Sequence, residues 1–233
     1  MIKEVFRRKE VKYLLSEKQY QELLQMILPY LEKDEYFKGT NCSIYFDTSS
    51  RYLAIHSLEK PLYKEKIRLR SYGVPKLSDI VFVEIKKKFD GLGSKRRIAV
   101  KLADFYDFIS GAELKTNNEQ IRAELSECFS RYNLMPALYL AYDRTSYCDR
   151  ETKKLRITFD KNVRSRETDL KLEAGDYGDL YFEDGTIVME VKTLDTLPLW
   201  FAKALSRMKI YPASFSKYGR VYEKILEKEK NYV

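Results

Sequence analysis

The sequence predicts an α+β fold in which an antiparallel sheet is charged on one face and aliphatic on the other, with helices covering the aliphatic face. Three observations carry this. Read as a strand, Lys66-Ile67-Arg68-Leu69-Arg70 puts Lys66, Arg68 and Arg70 on one face and Ile67 and Leu69 on the other. Several further strands repeat that design. Each candidate helix carries a single apolar stripe, enough to cover one sheet face. Cations side by side on a strand repel one another, so such a face is easiest to tolerate where it meets water or a polyanion.

Bulk composition narrows the class. The 233 residues suit one domain over residues 1–233, and a hydrophobic content of 44% supports a substantial core. A net charge of +8 favours phosphates, nucleic acid or an acidic membrane surface as partners. Cys42, Cys128 and Cys148 are odd in number and lack CxxC spacing, which points to reduced thiols in a cytoplasmic protein rather than disulfides or zinc. The lone histidine, His56, reads as a surface or turn residue. A catalytic metal would therefore sit on carboxylates, which selects hard ions such as Mg²⁺ or Mn²⁺. With no apolar run of about 20 residues and no leader, the chain is expected to be soluble.

Taken in order, residues 5–15 alternate as a strand with Arg8, Glu10 and Lys12 on one face and Val11 and Tyr13 on the other. Ser16-x-x-Gln19 fits a capping box and opens a helix whose stripe is Tyr20, Leu23, Leu24, Ile27, Leu28 and Leu31. Residues 42–48 form a second strand, followed by an irregular turn near residues 49–51. Residues 61–72 hold the opening motif and end at Gly73 and Pro75. In residues 80–88, Phe82, Glu84, Lys86 and Lys88 share a face. Asp90-Gly91-Leu92-Gly93 is a turn, and residues 95–100 return as a hairpin partner.

Helices follow at residues 103–109 and 118–132, the second striped by Ile121, Leu125, Cys128, Phe129 and Tyr132. Residues 137–148 and 154–160 read as a hairpin, with Tyr142 and Arg144 sharing a face on the first strand and Arg156, Thr158 and Asp160 on the second. Asp184-Gly185 predicts a hairpin between residues 177–182 and 186–193. On its second strand Val188, Glu190 and Lys192 share a face. Pro198 suits the first turn of a helix reaching about Met208, and a last amphipathic helix runs over residues 216–230.

Periodicity leaves two layouts open: an open sheet whose charged face meets water, or a barrel whose charged face points inward. Lys66-Ile67-Arg68-Leu69-Arg70-Ser71-Tyr72-Gly73, followed by Phe82-Val83-Glu84-x-Lys86, resembles the catalytic domain of the vacuolar transporter chaperone (VTC) polyphosphate polymerases, which are triphosphate tunnel (CYTH-like) metalloenzymes. The likeness extends to Glu10-x-Lys12-Tyr13, Tyr45-Phe46-Asp47-Thr48, Lys95-x-Arg97, Tyr142-x-Arg144, Leu155-Arg156, Glu190-Val191-Lys192 and Phe215-Ser216-Lys217-Tyr218. Each motif is weak alone; the ordered set is specific and spans nearly the whole chain.

The resemblance implies a closed antiparallel eight-stranded β-barrel, the triphosphate tunnel, with flanking helices. It implies that Lys12, Arg68, Arg70, Lys86, Arg144, Arg156 and Lys217 line the tunnel and carry catalysis by neutralising phosphate oxygens. Lys95, Arg97, Tyr142 and Glu10 are implied substrate-binding residues, and Glu190 the ligand of a divalent Mn²⁺ or Mg²⁺. Lys87, Lys88 and Arg96 read as surface charges. The implied activity passes the γ-phosphoryl of ATP to inorganic polyphosphate. Triphosphate hydrolysis in the same tunnel, or non-catalytic binding of polyphosphate or nucleic acid, are the rivals. No specific nucleic acid is expected. The eukaryotic members carry a phosphate-sensing SPX module and a membrane segment, neither of which is read in these residues, so a separate membrane protein partner is expected to pass the product.

Overall fold

The computed structural model describes residues 9–59, 61–90, 92–194 and 196–230. In chain order the elements are β1 (Lys9–Leu15), α1 (Glu17–Ile27), β2 (Leu31–Asp47), α2 (Tyr52–Leu58), β3 (Tyr63–Tyr72), β4 (Ile80–Phe89), β5 (Leu92–Lys101), α3 (Leu102–Ile109), α4 (Glu119–Tyr132), β6 (Met135–Asp149), β7 (Leu155–Arg166), β8 (Asp179–Leu180), β9 (Ile187–Thr193), α5 (Leu199–Arg207) and α6 (Lys217–Lys230). The expected strand positions of Val5 and Arg8, and Gly91 of the expected turn, lie outside the described residues.

The α+β class holds, but the sheet is open. Its strand order is β1-β9-β7-β6-β2-β3-β4-β5, with β8 paired to β7, and among the described residues no pairing joins β1 to β5. This corrects the closed eight-stranded barrel, and each end of the sheet shows a physical reason. The outer edge of β1 is already occupied: Ala213 N–H donates to Lys12 O at 2.7 Å, and Lys12 Nζ donates to Phe215 O at 3.0 Å. The edge strand β5 carries Lys95, Arg96 and Arg97, and charge of this kind blocks further pairing.

The described chain groups into two compact units, each made of several segments. The first holds residues up to Gly39, Tyr142–Val163 and Leu180–Ser216. Its core is built by α1 and α5 on the aliphatic sides of β1, β7 and β9, with Tyr13, Leu23, Ile27, Ile157, Phe159, Met189, Val191 and Phe201 all buried. The capping box at Ser16 forms as the sequence predicts: Gln19 N–H donates to Ser16 Oγ, and Ser16 N–H to Gln19 Oε1.

The second unit holds Thr40–Ala141, Arg164–Asp179 and the chain from Lys217. In it α3 and α4 cover Ile44, Phe46, Ile67, Leu69, Val83 and Ile85 with Phe105, Leu125 and Cys128. Helix α6 departs from this scheme. Its Tyr218 ring lies 4.3 Å from that of Tyr45 and 4.7 Å from Lys66 Nζ, so α6 packs on the charged side of β2 and β3.

Three boundaries differ from expectation. Strand β2 starts at Leu31, taking that residue from the expected helix; its first half has no alternating apolar signal and is held by contacts such as Ser146 Oγ–H to Asp34 at 2.8 Å. The expected turn near residues 49–51 forms, and helix α2, over residues that the sequence left unassigned, follows it directly and contains His56. The Asp184-Gly185 hairpin does not form. Gly185 turns the chain at φ +74°, but β9 is paired on its two sides by β1 and β7. The short β8 pairs with β7 instead.

Candidate functional site

In the first unit the charged face is a mixed network. The register places Lys12 opposite Glu190 and Glu10 opposite Lys192 on β1 and β9. It also sets Thr158 beside Glu190 and Arg156 beside Lys192 on β7 and β9. Lys12 Nζ lies 3.5 Å from Glu10 and 3.9 Å from Glu190. Arg144 donates to both oxygens of Asp160 at 2.6 and 2.7 Å and to Glu190 at 3.2 Å. Its guanidinium stands 5.1 Å from the Tyr142 ring centroid. Burial opposes the Arg144 charge, but Tyr142, Asp160 and Glu190 more than offset it and hold the guanidinium firmly protonated. Arg156 is turned toward Asp34 at 2.6 Å and Ser146 at 3.1 Å.

In the second unit the charged face is strongly cationic. Across β3, β4 and β5 the register aligns Arg68–Glu84–Arg97 in one row and Lys66–Lys86–Lys95 in the next. Glu65 and Glu84 are the acids of these strands, and alternation puts them on opposite faces. Glu84 therefore faces Arg68 at 2.6 Å, Lys95 at 2.6 Å and Arg97 at 3.4 Å. Burial alone would raise its pKa; Arg68, Arg70 and Lys95 outweigh burial and hold it at about 2.

Burial and the neighbouring arginines lower the Lys95 pKa, with Glu84 opposing them. Arg70 is buried and donates to Ser43 Oγ at 3.2 Å. Tyr45 accepts from Arg68 at 3.0 Å. Burial pushes the Tyr45 hydroxyl up, but Arg68, Arg70 and Lys217 bring it below its ordinary value. Arg97 stacks 3.5 Å from the Phe82 ring centroid.

Each unit thus gathers part of the predicted set. Lys12, Glu10, Glu190, Arg144 and Tyr142 meet in the first, with Arg156 on its own pair of partners. Arg68, Arg70, Lys95, Arg97 and Lys217 gather around Glu84 and Tyr45 in the second, while Lys86 is exposed in the adjoining row. Sequence reasoning gave no site role to Asp160, Asp34, Ser146, Ser43 or Tyr45. Asp160 and Tyr45 stand at the alternating positions of their strands, the signal that could have found them.

Among the described residues no group of three or more His, Cys, Asp or Glu side chains gathers as a metal cage. Glu10 and Glu190 nevertheless both reach the Lys12 ammonium. One or two carboxylates suit Mg²⁺ or Mn²⁺ when phosphate oxygens and water fill the remaining positions.

A candidate adenylate cyclase from Bacillus halodurans superposes with a TM-score of 0.54 at 12% identity, over 90% of this chain and 95% of that one, and shows a shared fold. A candidate adenylate cyclase from Vibrio parahaemolyticus gives 0.47 at 12% identity, over 94% and 97%. The Mimivirus capping enzyme triphosphatase gives 0.35 at 9% identity, over 86% and 88%. No curated protein sequence matches the chain. The VTC domain model matches residues 7–226, nearly the whole length, and the chain belongs to the VTC domain family.

Proposed function

We propose that this chain transfers the γ-phosphoryl group of ATP to the end of an inorganic polyphosphate chain. The observation that carries the reading is the acid-poor face of β3, β4 and β5. A phosphoryl group in transfer spreads negative charge over its oxygens, and catalysis rests on positioning and neutralising that charge. Arg68, Arg70, Lys86, Lys95, Arg97 and Lys217 serve this in the second unit. Lys12, Arg144, Arg156 and Tyr142 serve it in the first. Arginine forks supply paired, charge-assisted hydrogen bonds to phosphate oxygens.

Transfer to phosphate is favoured over transfer to water by the state of Glu84. A carboxylate with a pKa near 2, clamped by three cations, is a poor base for activating water. A terminal phosphate is already anionic and needs no such base. Glu190, with Glu10 beside it, would hold a divalent ion, which when bound offsets phosphate charge. No helix among the described residues is long and apolar enough to cross a membrane. Cys42, Cys128 and Cys148 are free thiols, in keeping with a cytoplasmic setting.

Incubation with ATP and Mn²⁺ or Mg²⁺, with phosphate products resolved by chain length, tests the proposal. Long chains are expected. Orthophosphate alone would make the chain a hydrolase, and tight binding without turnover a binding module.

A further inference from the structure

We propose that the Thr158 hydroxyl is a further substrate contact in the first unit, donating a hydrogen bond to a phosphate oxygen seated between Lys12 and Arg144. The proposal rests on the reading of this face as a phosphate site and adds a neutral donor to its cations. Thr158 is 3% exposed, and its Oγ1 is buried with no hydrogen-bond partner among the described residues. A buried hydroxyl without a partner has given up its hydration and gained nothing in exchange. Such groups are few, and each calls for a reason.

Position supplies the reason. Register sets Lys12, Glu190 and Thr158 in one row across β1, β9 and β7. Alternation along β7 puts Arg156 and Asp160 on the same face, one on either side of Thr158. Arg156 is engaged by Asp34 and Ser146, and Asp160 by Arg144. Arg144 Nη2 donates to Asp160 at 2.7 Å and to Glu190 at 3.2 Å. The fork therefore joins the neighbour of Thr158 along its strand to its neighbour across the sheet. A phosphate drawn by Lys12 and Arg144 competes with these carboxylates for the same donors and comes to rest beside Thr158. An anion there needs donors, and a hydroxyl supplies one without adding charge. Thr145 gives the contrast. Its Oγ1 is also buried without a partner among the described residues, but it follows Arg144 on β6. Alternation turns it to the opposite face, with the core residue Tyr147, away from any phosphate that Arg144 holds.

Calorimetric titration of the whole protein with tripolyphosphate, with and without Mg²⁺, tests this. Thr158→Val keeps the shape and removes only the hydroxyl. Its affinity is expected to fall by on the order of ten-fold in both conditions, and Thr158→Ser should restore most of the loss. Because no bond within the protein is lost, the urea midpoint of Thr158→Val should match or exceed that of the parent. Thr145→Val should also keep its midpoint, and its affinity should equal the parent's. Equal affinity in the parent and Thr158→Val, or no binding by the parent, would overturn the proposal. So would a loss confined to Mg²⁺, which would put the hydroxyl on the ion, or a lowered midpoint, which would give it a structural partner. Binding needs no turnover: a parent that binds tripolyphosphate but transfers no phosphoryl group would end the polymerase reading and leave the Thr158 contact standing.

Discussion

Glu84 shows how single residues set the chemistry of this face. Its folded pKa of about 2 lies below the ordinary 4.5. A carboxylate depressed in this way adds stability that is complete above 4.5 and is lost as pH falls toward 2, amounting to roughly 3 kcal/mol. The urea-unfolding free energy of the parent should therefore fall more steeply over that window than that of Glu84→Gln; parallel curves would place the stabilisation elsewhere. Glu190 has a different part. Glu190→Gln should reduce divalent-dependent turnover by on the order of 10²-fold or more while phosphate affinity holds, because Lys12 and Arg144 remain. Strand alternation put Arg68 with Arg70, and Arg144 with Tyr142, on shared faces in sequence, while their proposed roles and that of Glu190 came from the family resemblance. Which acid each cation meets depends on register, and pairings such as Arg144–Asp160 became visible only in the fold.

Among the elements, α2 was hidden in the sequence for a physical reason. Seven residues make too short a helix for a stripe to register, and it is organised from outside itself. The buried Asp47 carboxylate accepts from Leu53 N–H at 2.8 Å and Ala54 N–H at 2.9 Å, and Tyr218 of α6 donates to it at 3.1 Å. Asp47→Ala should destabilise the protein by about 2–3 kcal/mol, since it leaves buried amides and a tyrosine hydroxyl without their acceptor. Ser16→Ala, which removes an exposed cap of α1, should cost about 1 kcal/mol. Equal losses in the two variants by denaturant unfolding would deny Asp47 its joint role. The cap of α1 was readable because its residues are sequence neighbours; the cap of α2 comes from six residues upstream and is shared with a helix near the chain end.

For the whole molecule, the ordered motifs identified the family over nearly the full chain, and the α+β class followed from striping. Closure of the sheet did not follow, because it depends on what occupies the outer edge of β1, and the 213–215 segment that does so carries no strand signal. The central claim is that defined cations act on phosphate oxygens during phosphoryl transfer. It is tested most directly by the rate of γ-phosphoryl transfer from ATP to polyphosphate in Arg68→Ala, Arg156→Ala and Lys88→Ala, measured side by side. Cations acting on defined oxygens are each worth about 2–4 kcal/mol in the transition state, so the two arginine variants should lose roughly 10²–10³ in rate. Lys88→Ala should stay close to the parent. Similar small losses in all three, with a steep dependence on salt, would contradict it and leave a generic polyanion-binding surface.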